Sequence, residues 1–225
     1  CDDDDDGDGL RDEDDNCPSL SNGPASVPLV PNFDGGYLGA WVLLAPFEVD
    51  SSVDECLPDP VDRLGTDALA APRLGDSDSG LTWTAWVDDT QRMDFDEVYS
   101  VPAPRELYAM SYVYSDTERS VELALGLDDG ARIWFNHVQI GEVATCQGAS
   151  SDEFRYPVTL DVGWNELLIR LYDGGGSWDI YARFKDDSDE PIYDLTLGLG
   201  PNGPSVLDQS DGDGDGIGDV CDDSP

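Results

Sequence analysis

Val121-Glu-Leu-Ala-Leu-Gly-Leu127, then Asp128-Asp129-Gly130, then Ile133-Trp-Phe135 follow one another in the middle of this 225-residue chain, and their reading decides the fold. Apolar residues alternate with others at period two, Asp-Asp-Gly breaks the run, and a second apolar run rich in β-favouring residues follows. That is strand, turn, strand, with one face of the first strand buried and one solvated. Working outward, Tyr108–Tyr114, Val158–Leu160, Leu167–Tyr172 and Trp178–Phe184 are short runs of the same kind. Asp161-Val-Gly163 and Asp173-Gly-Gly-Gly176 punctuate them as turns. No twelve-residue stretch carries a helical stripe, although Val61–Ala71 could hold a short turn. Short strands at regular spacing without intervening helices predict an all-β, antiparallel two-sheet sandwich of jelly-roll type over residues 23–207.

Charge sets the next bound. Fifty acids against eleven bases give a formal net charge of −39, with the bases scattered singly. Nucleic acid and anionic membrane are excluded as electrostatic partners, since phosphate needs lysine and arginine surfaces. Cations are the natural counter-partners. The longest apolar run, Leu38–Phe47, is too short to span a bilayer.

The acids are patterned at both ends. Asp4, Asp6, Asp8, Asp12 and Asp15 occupy positions 1, 3, 5, 9 and 12 of a twelve-residue loop with Gly9 at position 6. Asp211, Asp213, Asp215, Asp219 and Asp222 repeat the pattern around Gly216. This is the ligand spacing of an EF-hand-like calcium loop, with Leu10 and Ile217 giving backbone carbonyls at position 7. Acid runs are most often solvated tails. A compositional tail has no reason to place glycine at the sixth position twice, so Ca2+ is the expected cofactor.

Five cysteines beside acidic calcium loops point to an oxidising, extracellular or cell-surface setting. One histidine and no Cys-x-x-Cys spacing argue against zinc. Cys56 and Cys146 both fall inside the β-rich stretch and are expected to pair.

The strings DDDDDGDGLRDEDDNCP at residues 2–18 and DQSDGDGDGIGDVCD at residues 208–222 resemble the type 3 calcium-binding repeats of thrombospondins and of bacterial surface proteins. In that family the two strings are nearly continuous, and their cysteines bond to each other. Here 185 residues, 23–207, stand between Asn22 and Asp208. The resemblance therefore implies one calcium repeat split by an inserted domain: residues 1–22 as its first half, 23–207 as the insert, 208–225 as its second half. It also implies a Cys17–Cys221 disulfide. Two independent tails on opposite ends are the alternative. Cys1 is left over: its partner lies outside this chain, it forms an intermolecular bond, or it carries lipid as the first residue of a mature bacterial lipoprotein.

Within the insert, Trp41–Phe47, Leu127–Asn136, Leu160–Arg170 and Trp178–Phe184 resemble the galactose-binding-like and PA14-like β-sandwiches of bacterial glycosidases and surface proteins. That resemblance implies that Asp128 and Asp129 hold a calcium which coordinates sugar hydroxyls. The competing role is a hairpin corner whose carboxylates cap backbone amides. The family's glycine after the Trp-x-Asn asparagine is replaced here by His137. Trp83 and Trp86 are the tryptophans with the least evident structural role and are candidates for sugar stacking.

No catalytic constellation accompanies these features, and a non-enzymatic protein is expected. Three functions fit: a structural surface protein that self-associates through its terminal calcium repeats into a filament or array; a calcium-dependent carbohydrate-binding adhesion module; or a non-catalytic accessory of a larger hydrolase.

Overall fold

The computed structural model describes residues 30–49, 56, 64, 72, 76–87 and 89–200. Both aspartate ladders, Cys1, Cys17, Cys221 and, apart from Leu64, the Val61–Ala71 turn lie outside the described residues.

Among the described residues the strands are β1 (Val30–Pro31), β2 (Ala40–Glu48), β3 (Ser77–Asp78), β4 (Leu81–Thr82), β5 (Thr84–Val87), β6 (Met93–Asp94) and β7 (Arg105–Ser115). There follow β8 (Arg119–Leu127), β9 (Gly130–Phe135), β10 (Val138–Val143), β11 (Phe154–Leu160), β12 (Gly163–Asp173), β13 (Asp179–Lys185) and β14 (Thr196–Gly198). The larger sheet runs β1-β14-β7-β12-β9-β10, with β2 pairing both β7 and β5, and the smaller runs β11-β8-β13-β6. The strand pairings are antiparallel. The fold is an all-β two-sheet sandwich.

Alternation places Leu107, Ala109 and Val113 of β7 with Leu167, Ile169 and Leu171 of β12 on the inner face of the large sheet, all buried. They meet Leu123, Leu125 and Leu127 of β8 and Ile180 and Phe184 of β13. Phe135 of β9 touches Phe184 edge to face across the layers, at 5.9 Å.

The outer face of the large sheet is buried as well. Tyr108, Met110, Tyr112 and Leu168 point away from the core yet are excluded from water. Three described residues of the β2–β3 connection account for part of this cover. Leu64 joins the hydrophobic cluster, the Pro72 carbonyl accepts the Tyr112 hydroxyl, and the Cys56 carbonyl fills the space above Gly130. Cys56 is bonded to Cys146, with Cα atoms 5.3 Å apart, as the sequence led us to expect. A buried ion pair, Arg170 with Glu106, lies on the same face.

Trp83, a stacking candidate, is instead a core residue at 3% exposure. Trp86 sits on β5 opposite Trp41 and packs partly buried against the core. Neither stands in a bare loop, because residues 77–94 contain four short strands.

Candidate functional site

Asp128 and Asp129 do not form a hairpin corner. β8 belongs to the small sheet and β9 to the large one, so the two aspartates carry the chain from one layer to the other at the end of the sandwich. Each layer holds one of them. The Asp128 N–H donates to the Asp179 carbonyl at the start of β13, 3.2 Å, and the Asp129 N–H donates to the Tyr172 carbonyl near the end of β12, 2.9 Å. The peptide bond between them is cis. Both side chains are buried.

The two carboxylates have different partners. Asp129 Oδ2 accepts the Gly174 N–H at 2.8 Å, which is the amide-capping role the sequence allowed. Asp128 lies within hydrogen-bond reach of the Asp129 carboxyl instead. Burial first, then the charges of Asp129, Asp179 and Asp173, push Asp128 up to about 7.

Four further acids surround the pair. Asp173 closes β12, with Oδ2 taking the Arg105 Nε at 2.7 Å and Oδ1 the Gly175 N–H at 2.7 Å. Its burial outweighs these contacts and still raises its pKa. Asp179 accepts Arg92 at 3.2 Å through Oδ2, while its Oδ1 is buried without a hydrogen-bond partner. Burial, with Asp94, Asp96 and Asp173 added, drives Asp179 up to about 6 despite Arg92. Asp94 stands directly opposite Asp179 across β6 and β13. Arg105 bonds Asp96 and the Tyr99 and Val101 carbonyls, and lies 4.4 Å over the Trp178 ring.

Six acids therefore share this pole with two arginines, and one buried carboxylate oxygen is left over. Such an arrangement is costly unless protons or a cation offset it. Among the described residues no three acid, cysteine or histidine side chains stand at spacing that holds a metal by themselves. Asp128 and Asp129 supply two carboxylates. Calcium, which takes six to eight oxygens and accepts carbonyls, water and neutral hydroxyls, suits an incomplete set of that kind.

At the opposite pole Asn136 and His137 make the β9–β10 turn with φ of 44° and 66°. The turn thus holds left-handed geometry at both positions. Asn136 bonds Asn165 and the Glu166 N–H, and His137 stands 3.2 Å from Glu166. Sequence reasoning did not single out Asp173, Asp179 or Arg105. Only the Asp173-Gly-Gly-Gly176 turn signal marked their neighbourhood.

The chain matches no protein-family model and no curated protein. Solved structures similar to it include an anti-sigma factor domain-containing protein, 14% identical over 60% of this chain with a TM-score of 0.40. This chain spans less than half of that protein, 46% of its length. A PA14 sugar-binding domain from an RTX adhesin is 12% identical, covering 75% of this chain and 99% of the other, TM-score 0.39. The epithelial adhesin 9 A domain from Candida glabrata, solved in complex with Galβ1-3GlcNAc, is 10% identical, covering 77% and 97%, TM-score 0.46. None is close enough to carry a functional conclusion.

Proposed function

We propose that this chain is a calcium-dependent carbohydrate-binding module of an extracellular or cell-surface protein, with Asp128 and Asp129 at its ligand site. The observation that carries this reading is the layer-crossing corner: two touching, buried carboxylates, one pushed up to about 7, beside the unpartnered Asp179 Oδ1. A calcium held there by two protein carboxylates keeps coordination positions for neutral oxygens, and adjacent sugar hydroxyls are ligands of that class. Support for sugar in particular comes from the Leu127–Asn136, Leu160–Arg170 and Trp178–Phe184 motifs. The Cys56–Cys146 bond suits an oxidising compartment.

The terminal ladders fit the same reading as a calcium-loaded base. β1 pairs with β14, so the sandwich begins and ends side by side, the geometry a domain inserted into one repeat requires. A body hung from one edge is a pendant. Head-to-tail assembly into a filament draws no support from any described residue.

The test is a glycan array probed with the intact chain in calcium, in chelator, and with Asp128→Asn/Asp129→Asn. Retention of defined sugars only by the unaltered chain in calcium is expected. If that chain retains none, the module does not bind carbohydrate.

A further inference from the structure

The segment between β10 and β11, residues 144–153, lies against the Asp128 side of the corner. A Cβ placed on Gly148 would stand 3.9 Å from Asp128 Oδ2, and the Ser150 carbonyl occupies the space over Gly126, two residues before Asp128. The segment is fastened near both ends. Cys146 is bonded to Cys56, whose carbonyl oxygen covers Gly130 just after the aspartates. At the other end Asp152 adopts a left-handed φ of 60° and turns its carboxylate onto β13. There Arg183 grips it through both Nε, at 2.8 Å, and a terminal nitrogen, and Lys185 Nζ adds a third contact at 3.0 Å. Ser151 Oγ shares a 2.6 Å hydrogen bond with the Tyr37 hydroxyl, and the Tyr37 ring lies 4.6 Å beneath Arg183.

β13 does not need this knot to stay in its sheet, since it pairs with β8 from Ile180 to Lys185. What the knot fixes is the position of residues 146–151.

We infer that Asp152 is a positioning residue for the Asp128–Asp129 site: its contacts with Arg183 and Lys185 hold residues 146–151 as the wall against which the cation and its sugar are seated. The inference rests on the calcium reading above. Gln147 and Ser150 are exposed on this wall.

Calcium titration of the intact chain by calorimetry provides the test, read as the binding step that Asp128→Asn/Asp129→Asn removes. Asp152→Asn keeps a residue that tolerates positive φ and deletes only the charge. That step should weaken about ten-fold, the lower end of the loss seen when a group that orients metal ligands is removed. Arg183→Gln should do the same and stands in if Asp152→Asn fails to fold. Arg119→Gln, which breaks the Arg119–Asp194 ion pair at the other pole, should leave the step unchanged. If Asp152→Asn lowers the melting temperature but leaves the step intact, Asp152 is merely structural and the inference falls. If the unaltered chain and Asp128→Asn/Asp129→Asn titrate alike, the calcium reading itself fails.

Discussion

Val30 pairs antiparallel with Leu197, the register that also sets Pro31 against Thr196. Chain entering β1 and chain leaving β14 are therefore neighbours, about 5 Å apart as paired strands are. The described part of the chain therefore begins and ends near one edge of the sandwich. Non-reducing peptide mapping should then find Cys17 linked to Cys221 as well as Cys56 to Cys146. A map with Cys17 joined to any other cysteine would overturn the split-repeat organisation.

The acids at the layer-crossing corner predict an unusual pH response. Asp128 and Asp179 rise from 3.8 to about 7 and about 6, so the fold favours their protonated forms. Their contribution to stability is complete below the ordinary carboxylate range and is lost as pH climbs through 6 and 7. In chelator the melting temperature should fall between about pH 4 and 7, and calcium should restore it at the upper end. Asp128→Asn should flatten the decline. Melting curves in chelator that are as pH-sensitive for Asp128→Asn as for the unaltered chain would remove the corner as the cause.

Asp152 gives the opposite sign. Burial opposes its ionisation, but the hydrogen bonds from Arg183 and Lys185 outweigh it and hold the group at about 2. Its stabilisation is present above 3.8 and disappears as pH drops toward 2. Acid titration followed by tryptophan fluorescence should show unfolding shifted to higher pH in Arg183→Gln. An unchanged acid midpoint would mean the knot contributes nothing to stability.

Much of the fold was legible because its signals are local. The alternation in Val121–Leu127 and the Asp-Asp-Gly break mark β8 and its end without reference to any other part of the chain. What alternation could not show is which sheet each strand joins. The Asp128-Asp129 corner reads as a hairpin, yet β8 pairs with β11 and β13 while β9 pairs with β12 and β10. Nor could local pattern reveal the site's surroundings. Arg105 and Asp173 are 68 residues apart in sequence and meet only because β7 and β12 lie side by side. Arg170 interrupts an otherwise apolar run, and nothing local to that run names its partners. It is buried because Tyr108 lies beside it and Glu106 accepts its guanidinium.

That buried pair should behave differently under single and double replacement. Arg170 donates from Nε at 3.1 Å and from a terminal nitrogen at 2.6 Å to Glu106 Oε2, with both side chains almost wholly excluded from water. Arg170→Met removes the guanidinium from beside a buried carboxylate and should cost about 3–5 kcal/mol in urea denaturation. Replacing both, as Glu106→Leu/Arg170→Met, should recover most of that loss. A double variant as unstable as the single one would show that the pair contributes net stability.

Gly126 tests the contact between the β8 strand and the segment beside the aspartates. A Cβ there would run into the Ser150 carbonyl, a backbone group that cannot turn aside as a flexible side chain would. Gly126→Ala should therefore cost about 1–3 kcal/mol, the range for overfilling a packed site. Because Ser150 belongs to the wall that Asp152 secures, the same substitution should weaken the calcium step lost in Asp128→Asn/Asp129→Asn. Gly163, where an added Cβ meets nothing within 4 Å, is the comparison. Its φ of 101° penalises alanine through the backbone alone, so Gly163→Ala should lower stability while leaving calcium affinity where it was. Equal effects of the two alanines on calcium binding would mean that Ser150 does not transmit position to Asp128.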